Sequence, residues 1–267
     1  MHSKCCAILV VLAALPVFAQ MPDSDVSPAV VPFQHAPMRI HGVPVPGAVT
    51  SDNWSGYAVT GSAFTNAQGS WIVPKVTCSV TPNSYSAFWV GIDGYSSTTV
   101  EQTGTISYCN GSTPVYYAWY EFYPQVSIEI GSVPVKPGHK MSASVVYNGS
   151  EFTVSITNET TGKTYSKSAK VAGAKRSSAE WIAEAPCCTS SGGILPLSDF
   201  GTGAFGDDFT TINDTNYATD SAVTGPISDF RSHVEKITMV NSSDVKKAVP
   251  SALTTDGSSF KVTWKSE

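Results

Sequence analysis

The sequence predicts an all-β fold: a single-domain β-sandwich of two packed antiparallel sheets. Three observations predict it. Short runs of valine, isoleucine, threonine, tyrosine and tryptophan recur from about Asn53 to the end of the chain. Gly, Asn, Ser and Pro separate those runs, as turns require. No stretch carries a 3.6-residue apolar period long enough for a helix.

Residues 1–19 read as a leader. Lys4 supplies a positive start, Ala7 to Leu15 a short apolar run, and Val17-Phe18-Ala19 a cleavage site. No later stretch reaches the roughly 18 apolar residues of a spanning helix, so a secreted protein free of the membrane is expected once the leader is gone. Residues 20–50 follow with Pro22, Pro28, Pro32, Pro37, Pro44 and Pro46 and no sustained period. Proline fixes φ and removes a donor, so this stretch is extended or irregular: either a loose tail or a propeptide that covers a site until removed. The β domain is expected over 51–267.

Within it, Ser70 to Val76, Ser86 to Ile92, Tyr116 to Tyr123, Ser142 to Tyr147, Glu151 to Thr157 and Lys261 to Trp264 read as strands. Asn148-Gly149 has the composition of a two-residue hairpin turn, and Thr161-Gly162 marks another turn. Loss of the leader removes Cys5 and Cys6 and leaves Cys78, Cys109, Cys187 and Cys188. In an oxidising compartment these predict disulfides, with three pairings open. Adjacent Cys187-Cys188 lacks metal-ligand spacing, and there is no H-E-x-x-H, so no metal or other cofactor is expected.

The formal charge is −5, and −6 without Lys4; the 16 Lys and Arg are dispersed, which argues against a nucleic-acid partner. Only 14% of residues are charged, against about a quarter in ordinary domains. Such a chain has few ionised carboxylates to lose in acid.

Strand alternation then gathers chemistry onto particular faces. Trp89, Gly91 and Asp93 share one face, as do Trp119, Glu121 and Tyr123, and as do Glu180 and Glu184; Gln102 shares a face with Val100 and Gly104. Carboxylates beside aromatics, in a chain otherwise poor in charge, describe the floor of a cleft for an extended ligand. A solvated rim with tryptophan packing is the plainer reading.

Five segments give this pattern a likeness. Asn53-Trp54-Ser55-Gly56-Tyr57, Trp89-Val90-Gly91-Ile92-Asp93-Gly94, Gln102-Thr103-Gly104, Ala118-Trp119-Tyr120-Glu121-Phe122-Tyr123-Pro124 and Ala179-Glu180-Trp181-Ile182-Ala183-Glu184 resemble the glutamic peptidases (eqolisins) in order and spacing. A weaker echo runs through Leu195 to Phe209 and near Val262. The resemblance implies a lectin-like (concanavalin-like) sandwich with its cleft on a concave face and a secreted, acid-acting endopeptidase made as a zymogen. It implies Gln102 and Glu184 as the catalytic pair, Trp89, Asp93, Trp119, Glu121 and Tyr123 as substrate-binding residues, and Glu180 in support. Polypeptides are then the partners, and the enzyme is expected to be a monomer. Tyr117 and the cysteine arrangement depart from the family's fungal members.

These residue types suit amide hydrolysis. Glu184 either takes a proton from water and passes it to the leaving amine, or starts protonated and activates the carbonyl. The Gln102 carboxamide donates to the developing oxyanion. The rival reading is a glycoside hydrolase or sugar-binding lectin, with Glu121 and Glu184 as the acidic pair and aromatics stacking on sugar rings. No aspartic D-[ST]-G pair or G-x-S-x-G elbow is present, and His139 and His233 read as surface residues.

Overall fold

Alternating apolar and small polar residues build strands almost throughout the residues described by the computed structural model, 33–188, 193–206, 216–221 and 223–267. The expected leader and the first part of the expected propeptide lie outside them. In chain order the strands begin with β1 (Phe33–Gln34), β2 (Ala48–Ser51), β3 (Trp54–Thr60), β4 (Phe64–Ile72), β5 (Tyr85–Ile92), β6 (Val100–Asn110) and β7 (Thr113–Tyr123). They continue with β8 (Ile128–Ile130), β9 (Lys140–Tyr147), β10 (Phe152–Asn158), β11 (Lys163–Ala169), β12 (Ser178–Glu184) and β13 (Cys187–Cys188). The last are β14 (Thr202–Phe205), β15 (Tyr217–Asp220), β16 (Val223–Pro226), β17 (Val234–Val240), β18 (Lys246–Pro250) and β19 (Phe260–Trp264). Among the described residues no helix is long and apolar enough to cross a membrane.

The two-sheet sandwich expected from sequence is corrected by the pairing. One large sheet, antiparallel except where β17 meets β2, nearly closes into a barrel. The physical reason is that the ladder never breaks where two sheets would have separate edges. From β7, β6 and β5 it runs through β12 and β3 to β17, and β18 and β19 then carry it to β14, β4, β9 and β10. Register shifts between Met239 and Val240 and between Thr219 and Asp220 help the sheet turn. Closure also removes most unpaired edges.

Two clusters fill the two faces of the central strands. Trp71, Phe88, Trp181, Phe205 and Phe260 pack inside the turn of the sheet. Phe33, Met38, Trp54, Trp89, Trp119 and Ile182 pack on the other face. Each buried tryptophan removes roughly 150–250 Å² from water, worth about 4–6 kcal/mol. Cys78 and Cys109 form a disulfide. The hairpin expected at Asn148-Gly149 joins β9 to β10, but through the longer loop 148–151 rather than a two-residue turn. The Asn148 side-chain oxygen accepts from the backbone N–H of Ser150 and Glu151, while Asn148 N–H donates to the Glu151 carbonyl.

Candidate active site

Register places the chemistry. Across β12, β5, β6 and β7, Glu180, Gly91, Gln102 and Glu121 stand in one row. Ile182, Trp89, Gly104 and Trp119 form the next row, and Glu184, Ala87, Ile106 and Tyr117 the third. Residues opposite one another in a ladder face the same way, so Gln102, Glu121, Glu180, Glu184, Trp89 and Trp119 project from one face. Two glycines make room there. A Cβ on Gly104 would strike the Phe88 carbonyl and the body of Trp89, and one on Gly91 would meet the Trp89 ring at 2.8 Å. The Trp89 indole thus lies along its strand and donates from Nε1 to Glu184 Oε2 at 3.0 Å.

Every polar side chain of this group is buried. Burial pushes the Glu184 carboxyl well above the usual carboxylate range, an effect that the indole N–H groups of Trp89 and Trp54 partly offset. Burial likewise raises Glu121; the His35 backbone N–H works against that rise and the charge of Glu184 adds to it. Glu180 is raised by burial too, with Asp93 and Glu101 adding to the effect.

A piece of the chain's own N-terminal region fills the cleft. β1 pairs with β13, and the next residue, His35, is fully buried. His35 N–H donates to Glu121 Oε2 at 2.9 Å, and Gln102 Nε2 donates to the His35 carbonyl at 2.6 Å. Its ring stacks on Trp119, centroids 3.5 Å apart and planes within 7°, and its Nδ1 lies 2.8 Å from Glu184 Oε2. Burial holds the imidazole pKa well below its ordinary value. Further along, Trp54 Nε1 donates to the Ala36 carbonyl at 3.2 Å, Met38 N–H to the Gly94 carbonyl at 3.0 Å and Arg39 N–H to Asn53 Oδ1 at 2.8 Å. His41 is clasped by Asp52 at 2.7 Å and Asp244 at 3.2 Å; the hydrogen bond with Asp52, more than any other contact, raises its pKa.

Of the residues singled out from sequence, Gln102, Glu184, Trp119 and Glu121 contact this one histidine, and Trp89 is linked to it through Glu184. Tyr123 lies at the margin, half-buried against the same cluster. Asp93 is not brought to the group. It sits at φ 72°, and its oxygens accept from the backbone N–H of Lys175, Arg176 and Ser177 and from the Ser177 hydroxyl. Sequence reasoning passed over His35, Asn53 and Trp54. Asn53 and Trp54 open the first quoted motif, and Trp54 lies opposite Glu184 in the ladder, which would have signalled them. For His35 no local signal exists, because it stands in an aperiodic stretch.

A carboxamide and carboxyls in a tryptophan-walled trough, holding an extended stretch of chain by its backbone, define a peptide-binding cleft on a closing β-sheet. The chain belongs to the peptidase A4 family, the glutamic peptidases, whose family model matches residues 52–249. It is 29% identical over 180 residues to aspergillopepsin-2 of Aspergillus niger, covering 58% of this chain and 62% of that protein. It is 32% identical over 123 residues to scytalidopepsin B of Scytalidium lignicola, covering 45% of each. The chain therefore spans less than two thirds of the length of these relatives. Among solved structures it is similar to scytalido-glutamic peptidase bound to a transition-state analogue inhibitor, with a TM-score of 0.66 and 24% identity over 80% of this chain and 98% of that one. It is also similar to aspergilloglutamic peptidase from Aspergillus niger, with a TM-score of 0.55 and 26% identity over 68% of this chain and 99% of that one.

Proposed function

We propose that the protein is a secreted, acid-acting endopeptidase in which Glu184 and Gln102 hydrolyse peptide bonds in polypeptides. One observation carries the reading: Gln102 Nε2 already holds a peptide carbonyl, that of His35, on the face from which the Glu184 carboxyl projects. In a substrate complex, the ionised fraction of Glu184 takes a proton from water as the water oxygen adds to the carbonyl carbon. The carbonyl oxygen gathers negative charge against the Gln102 N–H. Glu184 then gives the proton to the nitrogen as the C–N bond breaks, leaving a carboxyl and an amine. Glu121 binds a backbone N–H, Trp119 and Trp89 wall the cleft, Tyr123 borders it, Asp93 braces the loop beside it, and Glu180 supports the row. Residues 1–19 serve as the export leader and residues 20–50 as the propeptide. One chain supplies every group named, so the working unit is a monomer.

The test is hydrolysis of denatured protein at about pH 3–4 by wild type, Gln102→Ala and Glu184→Gln. Loss of one oxyanion donor is expected to lower kcat about 10²–10³-fold, and loss of the proton carrier to leave background alone. Circular dichroism checks that each variant is folded. An active Glu184→Gln enzyme sinks the assignment.

A further inference from the structure

The backbone of residues 33–41 is held as a bound peptide would be held, yet the arrangement around His35 is unproductive. A carbonyl sits on Gln102, but the space beside Glu184 is taken by an imidazole lying flat on Trp119. Glu184 Oε2 is engaged twice, by His35 Nδ1 and by Trp89 Nε1.

We propose that His35 is an acid-released stopper: its ring stands where the attacking water must stand, and acid expels it with residues 33–41. This inference rests on reading Glu184 as the group that handles water. It goes beyond a propeptide that merely covers the cleft, because it assigns the inhibition and its release to one side chain.

The release follows from where a second proton would go. With His35 neutral and Glu184 protonated, Glu184 Oε2 donates to Nδ1 and the ring's own hydrogen sits on Nε2, which is buried with no acceptor among the described residues. A further proton on the ring must take Nδ1 and break the hydrogen bond that it accepts. A buried, unpaired cation is strongly unfavourable. Among the described residues, the titratable groups bonded to His35 are Glu184 from β12, at the ring, and Glu121 from β7, at the backbone N–H; β6 presents the uncharged Gln102, and Trp89 of β5 bonds Glu184.

Proton counting then gives the window. Closed, burial lowers His35 and raises both carboxyls, so the His35–Glu184 pair holds one proton and Glu121 holds another. Open and solvated, His35 titrates near 6.5 and the two carboxyls near 4.3. Between about pH 6.5 and 4.3 the open state carries only the histidine proton, one fewer than the closed state, so falling pH favours closure. Below about pH 4.3 the open state carries three protons against two. Each further pH unit then favours release about tenfold. The stopper lets go in the acid range alone.

The experiment uses the full chain as wild type, His35→Ala and His35→Gln, with two readouts. Amide hydrogen exchange over residues 33–41 reports release without reference to activity. Hydrolysis of a fluorogenic peptide at pH 5.5 and 3.5 reports the open site. Wild type is expected to protect the segment at pH 5.5 and lose protection below about pH 4 with a slope of about one proton. His35→Ala is expected to raise hydrolysis at pH 5.5 by about 10- to 100-fold, the weight of one buried hydrogen bond, and to change little at pH 3.5. Gln cannot take up a proton, so His35→Gln is expected to keep the segment protected at both pH values. A His35→Gln chain that opens in acid like wild type overturns the stopper, as does a His35→Ala chain matching wild type at pH 5.5. Exchange that follows His35 as expected, with no hydrolysis by any form, supports the acid-released segment and removes the peptidase reading instead.

Discussion

Glu101→Gln isolates how burial of carboxyls sets the pH range in which this fold is stable. Glu101 is fully buried in β6, opposite Ile92 and Phe122, and burial, with the charge of Asp93 adding to it, pushes its pKa up to about 9. A carboxyl raised on folding contributes stability that is fully present below its unfolded pKa, near 4.5, and is lost as pH rises toward 9. One such group tilts the stability curve by about 1.4 kcal/mol per pH unit across that window. At pH 7 the accumulated loss is about 3 kcal/mol, since the group must either ionise in place or hold its proton against solution. Glutamine matches the shape of the protonated acid and has no proton to lose. Urea and thermal melts of wild type and Glu101→Gln at pH 4 and pH 7 measure the difference. The variant is expected to gain about 3 kcal/mol relative to wild type between the two pH values, or about 6–12 °C in midpoint for a chain of this size. An extra amide donor without an acceptor costs about 1 kcal/mol at both, which leaves the difference untouched. Parallel pH–stability curves for the two proteins refute the reasoning.

Three other substitutions probe the frame of the site. Asp93→Ala removes an acceptor of four hydrogen bonds from residues 175–177 and is expected to cost about 3–5 kcal/mol in urea unfolding, with faster amide exchange in that loop. Replacing Cys78 and Cys109 together by serine frees a sequence separation of 31 and is expected to cost about 3–4 kcal/mol, read from denaturant midpoints under oxidising conditions. Gly104→Ala drives a methyl into the Phe88 carbonyl and Trp89; a loss of about 1–3 kcal/mol and an altered near-ultraviolet circular dichroism spectrum are expected.

The face to which the chemistry is assigned was legible because β alternation is local. Trp89, Gln102, Glu121 and Glu184 each declare their side of a strand within a few residues, and the observed rows follow from that. Strand ends were legible to within a few residues, as with β5, read from Ser86 and found from Tyr85, whereas the run read as Ser70 to Val76 belongs to a strand that starts at Phe64 and ends at Ile72. Closure of the sheet was not legible. It depends on pairings such as Ala204 with Lys261 and Met239 with Ala248, between short strands whose alternation says nothing about the neighbour they meet. The same limit hid His35, which reaches Glu184 across 149 positions of sequence from a stretch with no period at all. Alternation placed Glu101 on the other side of β6 from Gln102, and only the closed sheet shows that side to be as dry as the cleft.

Low charge content suggested acid tolerance through having few ionised carboxylates to lose, and the buried groups supply a stronger cause. Glu101, Glu121, Glu180 and Glu184 are all raised by burial, so each is content as a neutral acid and costly as an anion. Acid therefore favours the fold through the same protons that it adds to the cleft. A surface-charge account predicts that stability in acid tracks ionic strength, because exposed charges are screened. Four dry carboxyls predict a stability that rises as pH falls and is nearly indifferent to salt. A stability curve at low and high salt across pH 4 to 8 separates the two. A salt-flattened slope would return the weight to the surface, and an unchanged one leaves it with the carboxyls on β6, β7 and β12, the strands that also hold the proposed catalytic pair.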